Sequence, residues 1–193
     1  MTLREGLLMP SLLITSSRKT SNRVRSFIRD LSQVIPDSER FNRGGMSLKE
    51  LISRINASGA RAACIVSMEK GNPRIIQLID ANGSNLVTVL VESAMLRRET
   101  SGKKSPRIFK ANSVAVRTGS SEQTLSLAQV IAEILGLSLD VVEKPALSHE
   151  PGLREGIMWF EDLPAGKILW TFYNSHEKSE VGPRIRIATL NNE

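Results

Sequence analysis

The chain has 193 residues, 40% hydrophobic and only 4% aromatic, with 26 lysines and arginines against 20 acidic residues and a net charge of +6. At this size one sizeable domain or two small halves bury roughly 70% of the unfolded surface, so no disulfide or metal staple is required. The single cysteine, Cys64, excludes an internal disulfide; no apolar run approaches the ~20 residues of a membrane span, and Glu5 and Pro10 interrupt the leucine-containing start.

Residues 12–15, LLIT, read as a short buried strand that ends in the hydroxyl-rich turn 16–21. A helix follows, because Val24, Phe27, Ile28, Leu31 and Ile35 fall on one stripe before Pro36 stops it. Arg25 and Arg29 lie four apart off that stripe, facing solvent or a ligand. Next comes RFNRGG at 40–45, and then a second helix opening at Ser47, which with Glu50 has capping-box spacing. Leu48, Leu51, Ile52 and Ile55 form its expected buried side, and Gly59 its end.

The period then changes. Residues 62–68 read as a buried strand holding Cys64 as a small core hydrophobe, which suits a reducing compartment and a soluble, cytoplasmic protein. A turn at 70–73, a strand at 74–79, a hairpin turn at 80–83 and a strand at 85–95 follow. Residues 97–106 read as a basic linker.

Beyond the linker the opening pattern returns: VAVRTGSS at 114–121 echoes LLITSS at 12–17, with Thr15 and Thr118 103 positions apart. A helix carrying Leu127, Val130, Ile131, Ile134 and Leu135 and ending at Gly136 comes after it, then strands near 157–160, 167–173 and 184–190. Alternating strands and helices argue for an α/β fold of two similar halves, each a sheet with packed helices, at 11–96 and 107–193 around the linker.

The charge is not evenly spread. Residues 15–61 carry ten basic and four acidic side chains, and 97–117 seven against one, whereas 118–193 carry six against eleven. Two basic segments on a neutral to acidic remainder suggest a nucleic-acid face, although ordinary solvated faces give the same count. At 16–21, capping by Thr20 or Ser21 accounts for the hydroxyls but not for Arg18, Lys19 and Arg23, because cations beside a helix N-terminus are unfavourable unless an anion joins them. The same reasoning applies to Arg40 and Arg43, before the second helix start, where Gly44 and Gly45 allow close backbone approach; Phe41 is expected to anchor that turn in the core.

Enzyme signals are poor. His149 and His176 stand alone in polar loops, no phosphate-binding glycine loop or dinucleotide fingerprint occurs, no Cys/His spacing fits zinc, and Glu161 and Asp162 read as a solvated strand end. No cofactor is expected.

The stretches LITSSR at 13–18, RFNRG at 40–44 with LKEL at 48–51, and EVGPR at 180–184 resemble the Brix-domain ribosome-biogenesis proteins, in order and over nearly the whole chain. The likeness is to the short archaeal form and, within the family, to the branch working on small-subunit ribosomal RNA precursors. The resemblance implies two halves similar to the anticodon-binding domain of class IIa aminoacyl-tRNA synthetases, and a non-catalytic role binding precursor ribosomal RNA beside other assembly proteins, with no membrane or DNA partner. By motif position that role falls on Arg18, Arg40, Asn42 and Arg43, while Pro183 and Arg184 match a late motif that admits a structural reading, with glycine and proline setting a strand entry and Arg184 pairing with an acidic neighbour. With the flanking basic and polar residues, the expected RNA-binding set is Ser16, Arg18, Lys19, Arg23, Arg25, Arg29, Arg40, Asn42, Arg43, Lys49, Arg97, Arg98, Lys103 and Lys104. Glu122 stands at the second half's helix start where a cation is expected, so that half is expected to contact less RNA or to meet a protein. Two other classes fit parts of the pattern: a protein-interaction scaffold with incidental RNA contact, and an enzyme acting on a phosphorylated small ligand.

Overall fold

Strand β1 (Leu12–Ser16) is buried along its whole length, and its alternating side chains serve two faces. Leu12 and Ile14 enter one core cluster and Leu13 a second. The structure, a computed structural model, describes residues 9–100, 110–145, 155–174 and 179–191. Helix α1 (Asn22–Val34) lays Val24, Phe27, Ile28 and Leu31 on the first face. Each such buried side chain contributes about 1.5–3 kcal/mol of burial free energy. Helix α2 (Leu48–Ser58) covers the opposite face through Leu51 and Ile55, and stops at Gly59, whose φ of 70° suits glycine after a helix.

Between these helices lies β2 (Ser38–Arg40), parallel to β1; β3 (Ala62–Glu69) is parallel to β1 on its other side. An antiparallel meander continues through β4 (Asn72–Asp80) and β5 (Asn85–Met95). After the helical turn α3 (Arg97–Thr100) come β6 (Ala111–Arg117), α4 (Glu122–Leu135), β7 (Ser138–Val142) and β8 (Gly156–Leu163), and then β9 (Lys167–Asn174), β10 (Ser179–Glu180) and β11 (Arg184–Asn191). The strands build one 11-stranded sheet in the order β2-β1-β3-β4-β5-β11-β9-β8-β6-β7, with β10 added to β9. From either edge inward the pattern repeats: two parallel pairings around β1 or β6, then antiparallel strands to the centre.

The expectation of a separate sheet in each half is thus corrected. β5 and β11 pair antiparallel from Arg184↔Met95 to Asn191↔Thr88, which makes the sheet continuous, and one core cluster runs beneath both α1 and α4. Arg61 adds a tie: its Nη1 donates to the carbonyls of Glu133 (3.0 Å) and Ile134 (3.3 Å), placing a cation at the negative end of α4.

Other expectations shift as well. Leu48 is 49% exposed, because α2 packs only through the positions one and two turns further on. The turn at 70–73 contracts to Lys70 and Gly71, both at positive φ as a two-residue hairpin requires; Asn72 and Pro73 join β4, with Pro73 opposite Met68 beside a register shift. The linker begins as α3, where Glu99 accepts from the Leu96 N–H at 2.8 Å; 101–106 lie outside the described residues. The caps of α1 and α4, Ser21 and Ser121, are 100 positions apart rather than 103, and Thr15 is buried where Thr118 is exposed, so that echo is out of register. Cys64 is buried as expected, and burial pushes its thiol up to about 12.

Candidate nucleic-acid interface

Because β1 and β2 are parallel, their C-terminal ends emerge side by side, next to Arg25 and Ile28 of α1. There a groove of about 380 Å³ is lined by Ser16, Arg25, Ile28, Arg40, Phe41 and Asn42. Strand alternation sorts the charges. Glu39 lies opposite Leu13 and reaches Arg54 of α2 (3.2 Å), while Arg40 lies opposite Ile14 and enters the groove.

Phe41 fixes the turn beyond β2. Its N–H donates to the Ile14 carbonyl and its own carbonyl accepts from Thr15 Oγ1, both at 3.1 Å. The ring packs on the second core cluster, with the Arg54 guanidinium 4.3 Å from its centroid. Asn42 Oδ1 accepts from the Gly44 N–H at 3.2 Å, which folds the loop and leaves the side-chain NH2 outward as a donor. Arg43 is held by an Nε bond to the Met46 carbonyl (2.9 Å), and burial, then the positive charge of Arg18, pushes its pKa below the ordinary arginine value. Among the described residues none of Arg18, Lys19, Arg25, Arg29, Arg40, Arg43, Lys49 or Arg98 forms an ion pair.

A second groove, of about 270 Å³, lies where α1 meets α3, lined by residues that include Ser26, Arg29, Asp30, Gln33 and Arg98. Arg97 is 7% exposed and joins the two helices, its N–H donating to Asp30 Oδ2 (3.0 Å) and its Nη1 to Gln33 Oε1 (3.2 Å). Arg97, expected in the RNA-binding set, thus tethers α3 to α1 and also lines this groove.

Arg23, of the same expected set, is engaged within the chain. Its guanidinium grips Glu99 through two bonds of 2.6 and 2.8 Å and donates to the Ala94 carbonyl at 3.0 Å, the charge pair holding its pKa above the ordinary value. Nor do the helix starts wait for an anion. At α1, Ser21 Oγ accepts from the Val24 N–H and donates to the Gly71 carbonyl. At α2, Ser47 and Glu50 complete the capping box, so Glu50 itself supplies the negative charge. The cations instead gather at strand ends and on the outer side of α1. Lys19 is exposed in the turn between β1 and α1, Lys49 is exposed on α2 and lines neither groove, and Lys103 and Lys104 lie outside the described residues, as do His149 and His176.

The corresponding end of the other strand set is furnished differently. Asp162, expected to be a solvated strand end, takes hydrogen bonds from the Ser121 N–H (2.7 Å), Ser121 Oγ (3.0 Å) and Thr124 Oγ1 at the start of α4. Glu161 pairs with Arg117 at 3.6 Å, and Arg184 pairs with Glu180 as anticipated. Sequence reasoning missed Arg54 and Glu99; the first is signalled by its position only once β2 and the Phe41 turn are known, the second by the two arginines that precede it.

The fold is shared with archaeal proteins named for ribosome biogenesis. A solved structure of a probable ribosomal biogenesis protein from Aeropyrum pernix is similar over 92% of this chain and 95% of that one, at 28% identity and a TM-score of 0.70. Mil, an archaeal Imp4-like protein, shares the fold over 94% of this chain and 99% of its own, at 21% identity and a TM-score of 0.66. Probable Brix domain-containing ribosomal biogenesis proteins are 39% identical over 90 residues in Aeropyrum pernix, 45% of this chain, and 27% identical over 179 residues in Methanopyrus kandleri, 89% of this chain and 90% of the relative. The matches span about half the length of the first curated relatives, 50% in Aeropyrum pernix and 53% in Sulfurisphaera tokodaii. No protein-family model matches. By sequence and by fold the chain is thus similar to archaeal Brix-domain ribosomal biogenesis proteins. No helix among the described residues is long and apolar enough to cross a membrane.

Proposed function

We propose that the protein is a non-catalytic cytoplasmic factor of ribosome biogenesis that binds and positions precursor ribosomal RNA through a basic face, alongside other assembly proteins. The observation that carries this reading is the groove at the ends of β1 and β2, where Arg25 and Arg40 line the wall with Asn42 and no carboxylate, and Arg18 and Arg43 follow the lining residues Ser16 and Asn42 in the chain. A cationic groove without an acid favours a phosphodiester backbone, and a single uncapped amide donor favours positioning over base reading. Membership of the small-subunit branch, and the likeness of each half to an anticodon-binding domain, are part of the same proposal. So is a smaller RNA contribution from the second half, supported by Asp162 at the start of α4 and by the pairing of Arg117 with Glu161.

The test is the salt dependence of binding to a single-stranded RNA. If Arg18, Arg25, Arg40 and Arg43 each neutralise one phosphate, log affinity falls against log salt with a slope of about −2.8, at ~0.7 per phosphate. A slope near zero contradicts the proposal.

A further inference from the structure

Helix α1 carries exposed arginines toward both grooves: Arg25 lines the one at the strand ends and Arg29 the one at α3, where exposed Arg98 joins it. A separation of four residues sets them about 6 Å apart along the axis, within the span of two stacked nucleotides at roughly 3.4 Å each. Neither side chain forms an ion pair among the described residues. Asp30, the one carboxylate of the second groove, is 7% exposed and already accepts from the Arg97 backbone, so the rim stays cationic.

We infer that the two grooves are successive subsites for one RNA strand, which enters between Arg40 and Arg25, crosses the outer side of α1 and leaves between Arg29 and Arg98. This rests on the RNA-binding reading and adds to it a path and a minimum length. Phe27 and Ile28, buried on the inner side of α1, fix the helix against the sheet, so the spacing of the subsites is set before RNA arrives.

Fluorescence anisotropy of the full chain with two oligouridine probes, one of about three residues and one of about ten, separates the two ideas. The long probe binds more tightly in wild type, and the double variant Arg29→Gln, Arg98→Gln removes that gain, on the order of tenfold, with the salt slope on the long probe falling by about 1.4. Retention of the full gain by this variant, with Arg25→Gln, Arg40→Gln weakening both probes, overturns the second subsite and keeps the first. If Arg25→Gln, Arg40→Gln weakens neither probe, the RNA-binding reading itself fails and the inference with it. All four side chains are exposed, and a thermal melt of each variant checks that folding is intact.

Discussion

Arginines of similar appearance in the sequence have different work in the molecule. Arg23 and Arg25 are two positions apart on α1, yet Arg23 closes on Glu99 while Arg25 opens into a groove. An i to i+2 step turns a helix by more than half a revolution, so one side chain meets the meander and the other the strand ends. Replacing Arg23 by Gln is expected to cost stability, by ~1 kcal/mol for a partly exposed bidentate pair, and to leave RNA affinity near wild type; urea titration beside anisotropy checks both. A loss of RNA affinity at unchanged stability contradicts this assignment. Arg40 and Glu39 make the same point on a strand, where a single step exchanges faces. The sequence motif shows that arginines are present at 40 and 43; the pairing of β2 with β1 decides which way Arg40 points, and the bond to the Met46 carbonyl holds Arg43.

Helices and long strands were legible because their patterns are long. The stripe from Val24 to Ile35 is buried throughout, and β5 runs from Asn85 to Met95 as expected. Short edge elements were not: β2 is three residues with no apolar side chain, β10 is two, and β7 mixes Leu139 and Val142 with exposed Ser138, Asp140 and Val141. Such strands exist by virtue of their neighbours, and propensity is silent about them. The α4 start was equally hidden, because Asp162 comes from another strand 41 residues away from Ser121. Burial works against ionisation there, but the bonds from Thr124 and Ser121 prevail and hold the Asp162 carboxyl below the ordinary aspartate value. A lowered pKa gives stability that is present above the unfolded value, about 3.9, and lost as the pH falls through the folded one. Asp162→Asn is therefore expected to lower stability near neutral pH, by up to about 1 kcal/mol, and to flatten the acid limb of the stability curve below pH ~4. An unchanged acid limb in the variant contradicts the assignment.

For the molecule as a whole, charge and topology divide the work. The basic excess of 15–61 lies on the β2 side of the sheet, and the continuous sheet and the Arg61 tie to α4 join that side to the other strand set. The mirrored strand order supports the division into 11–96 and 107–193, which we propose as the product of a duplication whose second copy lost its cationic groove. What the sequence concealed was the joining of the two strand sets, since β5 and β11 are about 90 positions apart and their pairing has no local signature. The measurement that tests the account most directly is ultraviolet crosslinking of the purified protein to total cellular RNA, with the modified peptides mapped. Adducts are expected between β1 and β2, on the peptides that carry Arg18, Arg25, Arg40 and Asn42; adducts concentrated on β8, β9 and β11, with none between β1 and β2, would contradict it.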